Sequence, residues 1–204
     1  MKYPVFYDKV QTIKLHDPLS GFLGAIENGE VEITYLDCVK LAGHSCPTVA
    51  GAYLMAIKGL EALYNDDLPQ RGFIKVSMNG QEDEGVIGVI ANVIAFIVGA
   101  GSIGGFKGLN GKMSRNNLVD YTVPMDGEVK LTRVDTMESV TLSYNPSMIG
   151  ADPMMQPLMG KAMQGLASAD EKKEFGKLWQ ARVEKILLST NIWNDMIIIK
   201  RESK

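Results

Sequence analysis

The 204-residue chain has few cysteines, few histidines and no cluster of basic residues. Its only cysteines, Cys38 and Cys46, do not make a disulfide framework, so we expect a reducing, cytoplasmic setting. The formal net charge is −3, with both signs spread along the chain, which argues against a nucleic-acid-binding protein. No apolar segment of the secretory type stands near the N-terminus, so no signal peptide is expected.

Long apolar runs are also missing. Residues 86–98 (VIGVIANVIAFIV) are apolar, but a membrane span needs about 20 such residues, so no membrane insertion is expected. We interpret the run as a buried core helix over residues 84–98. Glu82, Asp83 and Glu84 would lie at its positive N-terminal end.

What is present predicts one α+β domain over residues 1–204, because hydrophobic residues make up 46% of the chain and strands and helices show no regular βαβ alternation. A mixed or antiparallel sheet would pack against the buried helix and flanking helices. Residues 1–33 are expected to form an N-terminal extension packed on the domain, and residues 168–188 a C-terminal helix. The other predicted helices cover residues 34–41 and 47–64, and the predicted strands cover residues 30–33, 72–78, 117–123, 128–134, 138–144 and 196–199.

The segment Gly43-His44-Ser45-Cys46-Pro47 is the strongest candidate for chemistry. Proline favours the first position of a helix, which makes Cys46 the N-cap, where the helix dipole favours a thiolate. In extended chain, His44 and Cys46 point to the same side, and both side chains are good ligands for zinc. Two alternatives stay open: a structural cysteine beside a turn histidine, or a metal-free thiol nucleophile, Cys46, with His44 as its base.

Other residues could complete such a site. Glu84 is a candidate third metal ligand, although an acidic residue there also compensates the helix dipole. Cys38 is expected to behave as a small buried hydrophobe. Nothing in the sequence places His16 at the site.

Two further segments carry weaker signals. Residues 99–105 contain Gly-x-Gly-x-x-Gly, which we interpret as a helix C-cap and a tight turn because no strand precedes it. Its exposed N–H groups, with Lys107 and Arg115, form a candidate site for a small anionic ligand. The methionines at positions 148, 154, 155, 159 and 163 predict an adaptable apolar surface and a homodimer.

The sequence around the histidine resembles a known family. Residues 37–48 (DCVKLAGHSCPT) are similar to the signature Phe-His-Gly-His-x-Cys-Pro-Gly of the FmdE family, which takes its name from a component of formylmethanofuran dehydrogenase. Residues 51–56 (GAYLMA) stand where that family has a helix of small residues. The similarity covers about residues 34–188 and is specific at residues 43–47. Ala42 replaces the first histidine of the family motif, and two later family cysteines have no counterpart near Val89 and in residues 99–101.

The resemblance implies an FmdE-like metal-binding domain, often dimeric, that holds zinc or another divalent transition metal. We therefore expect a metal held by His44, Cys46 and Glu84, beside a small anionic or redox ligand contacted by Lys107 and Arg115. The alternatives are a non-catalytic accessory subunit or metal carrier for a molybdenum or tungsten oxidoreductase, and the thiol enzyme described above. Whether the chain is an enzyme stays open.

Overall fold

A computed structural model describes residues 2–202 of the chain. The helices are α1 (Pro18–Phe22), α2 (Tyr35–Ala42), α3 (Pro47–Tyr64), α4 (Ile87–Val98), α5 (Met155–Met163), α6 (Ala169–Leu188) and α7 (Trp193–Met196). The strands are β1 (Ile13–His16), β2 (Glu30–Ile33), β3 (Ile74–Met78), β4 (Val119–Asp120), β5 (Val129–Arg133), β6 (Ser139–Tyr144) and β7 (Ile197–Glu202). The predicted α+β class with a mixed sheet is confirmed.

The main sheet has five strands in the order β4-β3-β5-β6-β7. Every neighbouring pair is antiparallel except β3 and β4, which are parallel. β1 and β2 form a separate antiparallel pair in which Ile13 lies opposite Ile33. Both residues are buried in the same core cluster as α3, so the N-terminal segment contributes to the main core.

Helices α3 and α4 lie side by side and begin at the same end of the sheet. Gly51, one turn into α3, lies against the ring of Tyr144 at the end of β6. α4 follows the end of β3 and runs back, so that the carbonyl of Val98 accepts the N–H of Gly72, two residues before β3. The two helices are therefore parallel, and their positive N-terminal ends share one edge of the molecule.

The predicted bounds of α2, α3 and α6 agree with the structure to within one residue, whereas α5 and α7 were not predicted. Thr34 and Asp37 form a capping box that starts α2, and Ser168 and Glu171 form another that starts α6. Each side chain accepts a backbone N–H that the first turn would otherwise leave without a partner. Cys46 is the N-cap of α3, as predicted.

The predicted bounds of three elements differ most from the structure: α4 and β4 are shorter than predicted, and the strand predicted over residues 196–199 extends as β7 to Glu202. α4 begins at Ile87 and not near residue 84, and its first turn holds no acidic residue. Gly85 has a φ of 54°, a left-handed conformation that separates the acidic turn from the helix. The strand predicted over residues 117–123 is reduced to Val119–Asp120, since Asn117 and Thr122 also have positive φ values, which end the extended chain on both sides.

Among residues 2–202, no helix is long and apolar enough to cross a membrane.

Candidate functional site

The imidazole of His44 is exposed just beyond the C-terminus of α2. Gly43 ends that helix in a left-handed conformation with a φ of 75°. Nδ1 of His44 lies 2.9 Å from the carbonyl oxygen of Ala42. A carbonyl only accepts hydrogen bonds, so Nδ1 carries the proton and a neutral ring presents its lone pair at Nε2. A backbone bond of this kind orients histidines that ligate metals through the other nitrogen.

The thiol of Cys46 is almost covered, with 8% of the residue exposed. Its Sγ accepts the backbone N–H of Val49 at 3.4 Å, as an N-cap side chain does. The sulfur therefore lies at the positive end of the 18-residue helix α3. Within residues 2–202, the hydrogen bonds of the two side chains go to Ala42 and Val49 and not to each other.

Ser45, between His44 and Cys46, is held by a hydrogen-bond network that no local sequence motif predicts. The Ser45 hydroxyl donates to Oε1 of Gln180 at 3.0 Å and lies 2.9 Å from the hydroxyl of Tyr35. The Ser45 carbonyl accepts Nε1–H of Trp179 at 2.9 Å and Nε2–H of Gln180 at 3.2 Å. α6 thus fixes the backbone between His44 and Cys46. Sequence separations of 134 and 135 residues explain why no local motif reveals these partners.

Cys38 belongs to the core, as predicted. It is fully buried in α2, and burial, reinforced by the nearby charge of Asp37, raises the pKa of its thiol to about 12. A thiol of this kind is a packing element and not a nucleophile at neutral pH.

We predict that Cys38 resists alkylation in the folded protein. Iodoacetamide at pH 8 should leave Cys38 unmodified, because a buried thiol with a pKa near 12 is almost entirely protonated there. Peptide mass spectrometry before and after unfolding in guanidinium chloride measures the modification. Cys46 is the internal comparison, and it should be modified faster than Cys38 in the absence of metal. Equal modification of both thiols in the folded protein would contradict this assignment.

Glu84 does not join His44 in one cavity. Its Oε2 accepts the N–H of Gln81 at 3.3 Å in the turn before α4, and its side chain lines a cavity shared with Asn79 and Glu128. His44 lines a different cavity. Across the part of the chain that the structure describes, no three His, Cys, Asp or Glu side chains form a group that could hold a metal ion.

The two predicted ligand-binding cations differ in their surroundings. Lys107 is exposed in the loop after α4. Arg115, in the same loop, donates from Nη2 to the buried carboxylate of Asp17, which also accepts Nη1–H of Arg71 at 2.9 Å. Arg115 therefore already has an anionic partner inside the protein. His16 is also engaged, with Nδ1 lying 2.8 Å from Oε1 of Gln70.

The glycine-rich loop behaves as a turn, as interpreted from the sequence. Gly99 caps α4 in a left-handed conformation with a φ of 70°. A Cβ at Gly101 or Gly105 would lie 2.8 Å from the carbonyl oxygen of Arg115, so both glycines permit close backbone packing.

A cavity of about 350 Å³ lies between α2 and α4 and has His44 on its wall. Leu41 and Ala42 contribute from the end of α2, and Val89, Val93, Ala95 and Phe96 from α4. Asn92 is the other polar residue that lines it.

No protein-family model matches the chain and no curated protein matches it, so membership of the FmdE family stays a prediction.

Proposed function

We propose that this chain binds a transition metal, with zinc as the first candidate, through Nε2 of His44 and Sγ of Cys46. The observation that carries the proposal is the bond from Nδ1–H of His44 to the carbonyl of Ala42. It leaves Nε2 as the donor atom, in the arrangement that supports histidine ligands. Imidazole and thiolate are the donors that zinc prefers.

Two protein donors suit an open site and not a closed structural one. Structural zinc takes four protein ligands and catalytic zinc takes three plus water. Among residues 2–202 no three possible donors form a group, so the remaining positions of a metal on His44 and Cys46 would be filled by water, a small ligand or a donor from another molecule. Glu84 is therefore no part of the proposed site, and no ligand contact is assigned to Lys107 or Arg115.

The low ligand count also favours a second candidate function, a metal carrier or accessory subunit for a molybdenum or tungsten oxidoreductase. A site that leaves coordination positions open can exchange its metal with a partner. The thiol-enzyme alternative is less favoured, because Cys46 is largely covered and its Sγ hydrogen-bonds to the N–H of Val49 and not to His44.

The first test is metal content. Protein purified without chelator should contain zinc at or below one ion per chain, measured by plasma mass spectrometry. His44→Ala and Cys46→Ser should each reduce the bound metal at least tenfold, because each removes one of two protein donors. Cys38→Ala is the matched control and should retain the metal. Absence of metal together with no zinc uptake, or equal loss in the Cys38 variant, would contradict the proposal.

We also propose a homodimer that uses the Met-rich surface. Met154 and Met163, at the two ends of α5, are 55% and 84% exposed, and Leu166 beyond them is 71% exposed. Large exposed apolar side chains are typical of contact surfaces.

Light scattering over a wide concentration range should give the mass of a dimer. Met154→Lys with Met163→Lys should shift it to the mass of a monomer, because two desolvated charges would oppose association. Met137→Lys is the control, since Met137 is exposed in the turn between β5 and β6. A wild-type monomer at every concentration would exclude the dimer.

A further inference from the structure

The cavity between α2 and α4 has the properties of a small-molecule site. Its volume of about 350 Å³ falls in the range of ligand pockets, roughly 300–1,000 Å³. Such pockets combine apolar walls with a few polar groups that fix orientation, and here those groups are His44 and Asn92. Neither side chain points to a function by itself, but the walls and the polar groups together restrict which ligands fit.

Charge is the first restriction. Among the described residues, no Asp, Glu, Lys or Arg lines this cavity. Leu41, His44 and Asn92 are exposed at its mouth, so a charged ligand would lose only part of its hydration there, but it would gain no opposite charge in return. An uncharged ligand avoids that penalty. The walls formed by Leu41, Val89 and Val93 favour an apolar body, and the partly buried ring of Phe96 offers an aromatic surface.

The hydrogen-bonding pattern is the second restriction. Nδ1 of His44 donates to the Ala42 carbonyl, so the neutral ring offers only an acceptor, Nε2. A ligand that satisfies Nε2 must bring an N–H or O–H donor. Asn92 carries both an amide donor and a carbonyl acceptor, so it can pair with either kind of group on the same ligand.

From these restrictions we infer that the cavity binds a small, uncharged aromatic molecule whose N–H or O–H group donates to Nε2 of His44. The apolar body lies between α2 and α4 against Val89 and Phe96. This function goes beyond metal binding and does not require a metal, since the free Nε2 lone pair is the recognition element. A metal on Nε2 would compete with the ligand for the same atom.

Three related probes test the inference on the full chain at pH 8, in buffer with a chelator and measured by calorimetry. Indole should bind with a dissociation constant of about 1 mM or tighter. 1-Methylindole, which keeps the body and lacks the donor, should bind roughly threefold to tenfold more weakly, the worth of one hydrogen bond. Indole-3-carboxylate should bind at least tenfold more weakly, since its charge has no partner in the cavity. Equal binding of indole and 1-methylindole, or tighter binding of the carboxylate, would overturn the inference.

Two substitutions locate the site. Val89→Trp should fill the cavity and weaken indole binding at least tenfold, whereas Val134→Trp, at an exposed residue in the turn after β5, should leave it unchanged. Unaltered binding to Val89→Trp would overturn the assignment. Circular dichroism confirms that each variant is folded, and the probe series on wild type needs no variant at all. Because metal is removed by the chelator, loss of the proposed metal function leaves these expectations intact, and absence of indole binding does not touch the metal proposal.

Discussion

Replacing Asp17 by asparagine is expected to lower the free energy of unfolding by roughly 3 to 5 kcal/mol, the cost of breaking a buried ion pair from one side. The Asp17 side chain is 3% exposed and accepts from Arg71 and Arg115, which are each 17% exposed. Its Oδ1 also accepts the N–H of Ser20 as the N-cap of α1. Without the carboxylate, two guanidinium groups would lie close together in the protein with no anion between them.

Urea unfolding followed by circular dichroism measures the loss. Asp66→Asn is the matched control, because Asp66 is exposed in the turn after α3, and it should change stability by less than about 0.5 kcal/mol. Similar losses of stability in Asp17→Asn and Asp66→Asn would show that the ion pairs of Asp17 contribute no more than a surface charge.

The same carboxylate predicts a pH dependence. Burial alone would raise the pKa of Asp17, but hydrogen bonds from Arg115, Ser20 and Arg71 together with the charge of Arg115 outweigh it, so the pKa is lowered. Its contribution is therefore fully present above the unfolded-state value of about 3.9 and is lost as the pH falls through the lower native-state value. The stability difference between wild type and Asp17→Asn should be constant from pH 7 to about pH 5 and should shrink below about pH 4.

Gly51→Ala is expected to destabilise the protein by about 1 to 3 kcal/mol, against the usual preference for alanine in a helix. A Cβ at Gly51 would overlap Cε1 of the Tyr144 ring, because the distance between the two atoms would be shorter than real Cβ contacts show. Either the ring or α3 must move, and α3 is the most buried helix next to the candidate site.

The control is the same substitution at an open position. Gly176, inside α6, has no atom within 4 Å of the place that a Cβ would occupy, so Gly176→Ala should stabilise by roughly 0.5 to 1 kcal/mol. Thermal and urea unfolding should give opposite signs for the two variants. Stabilisation by both substitutions would mean that the Tyr144 ring moves aside at no cost in free energy.

Local sequence rules predicted much of this fold for a physical reason. Helix starts depend on residues within one turn, so Ser168 and the Cys46-Pro47 pair indicate the starts of α6 and α3 from the sequence alone. The start of α4 was missed because an apolar run does not show where backbone geometry changes. The left-handed turn at Gly85 decides that boundary.

The site was predictable only in part. Cys46 and His44 are candidates because their helix position and residue types carry local chemistry. Two partners of Ser45, Trp179 and Gln180, lie in α6, and the partner of Arg115 is Asp17, so these contacts depend on tertiary packing that periodicity does not encode. The assignment of Arg115 to a ligand treated its charge as free, which the pairing with Asp17 does not support.

The carboxylate of Asp17 also bears on how the chain reaches its native state. Its two arginine partners are 54 and 98 positions away, one before β3 and one after the glycine-rich loop. Arg71 in turn donates to the carbonyls of Phe96 and Ile97 at the end of α4. The segments that carry Asp17, Arg71 and Arg115 therefore meet at the C-terminal end of α4. The loop-closure entropy lost in bringing them together is offset only when all three are in place. We therefore expect the docking of the segment around Asp17 and the completion of α4 to be coupled during folding.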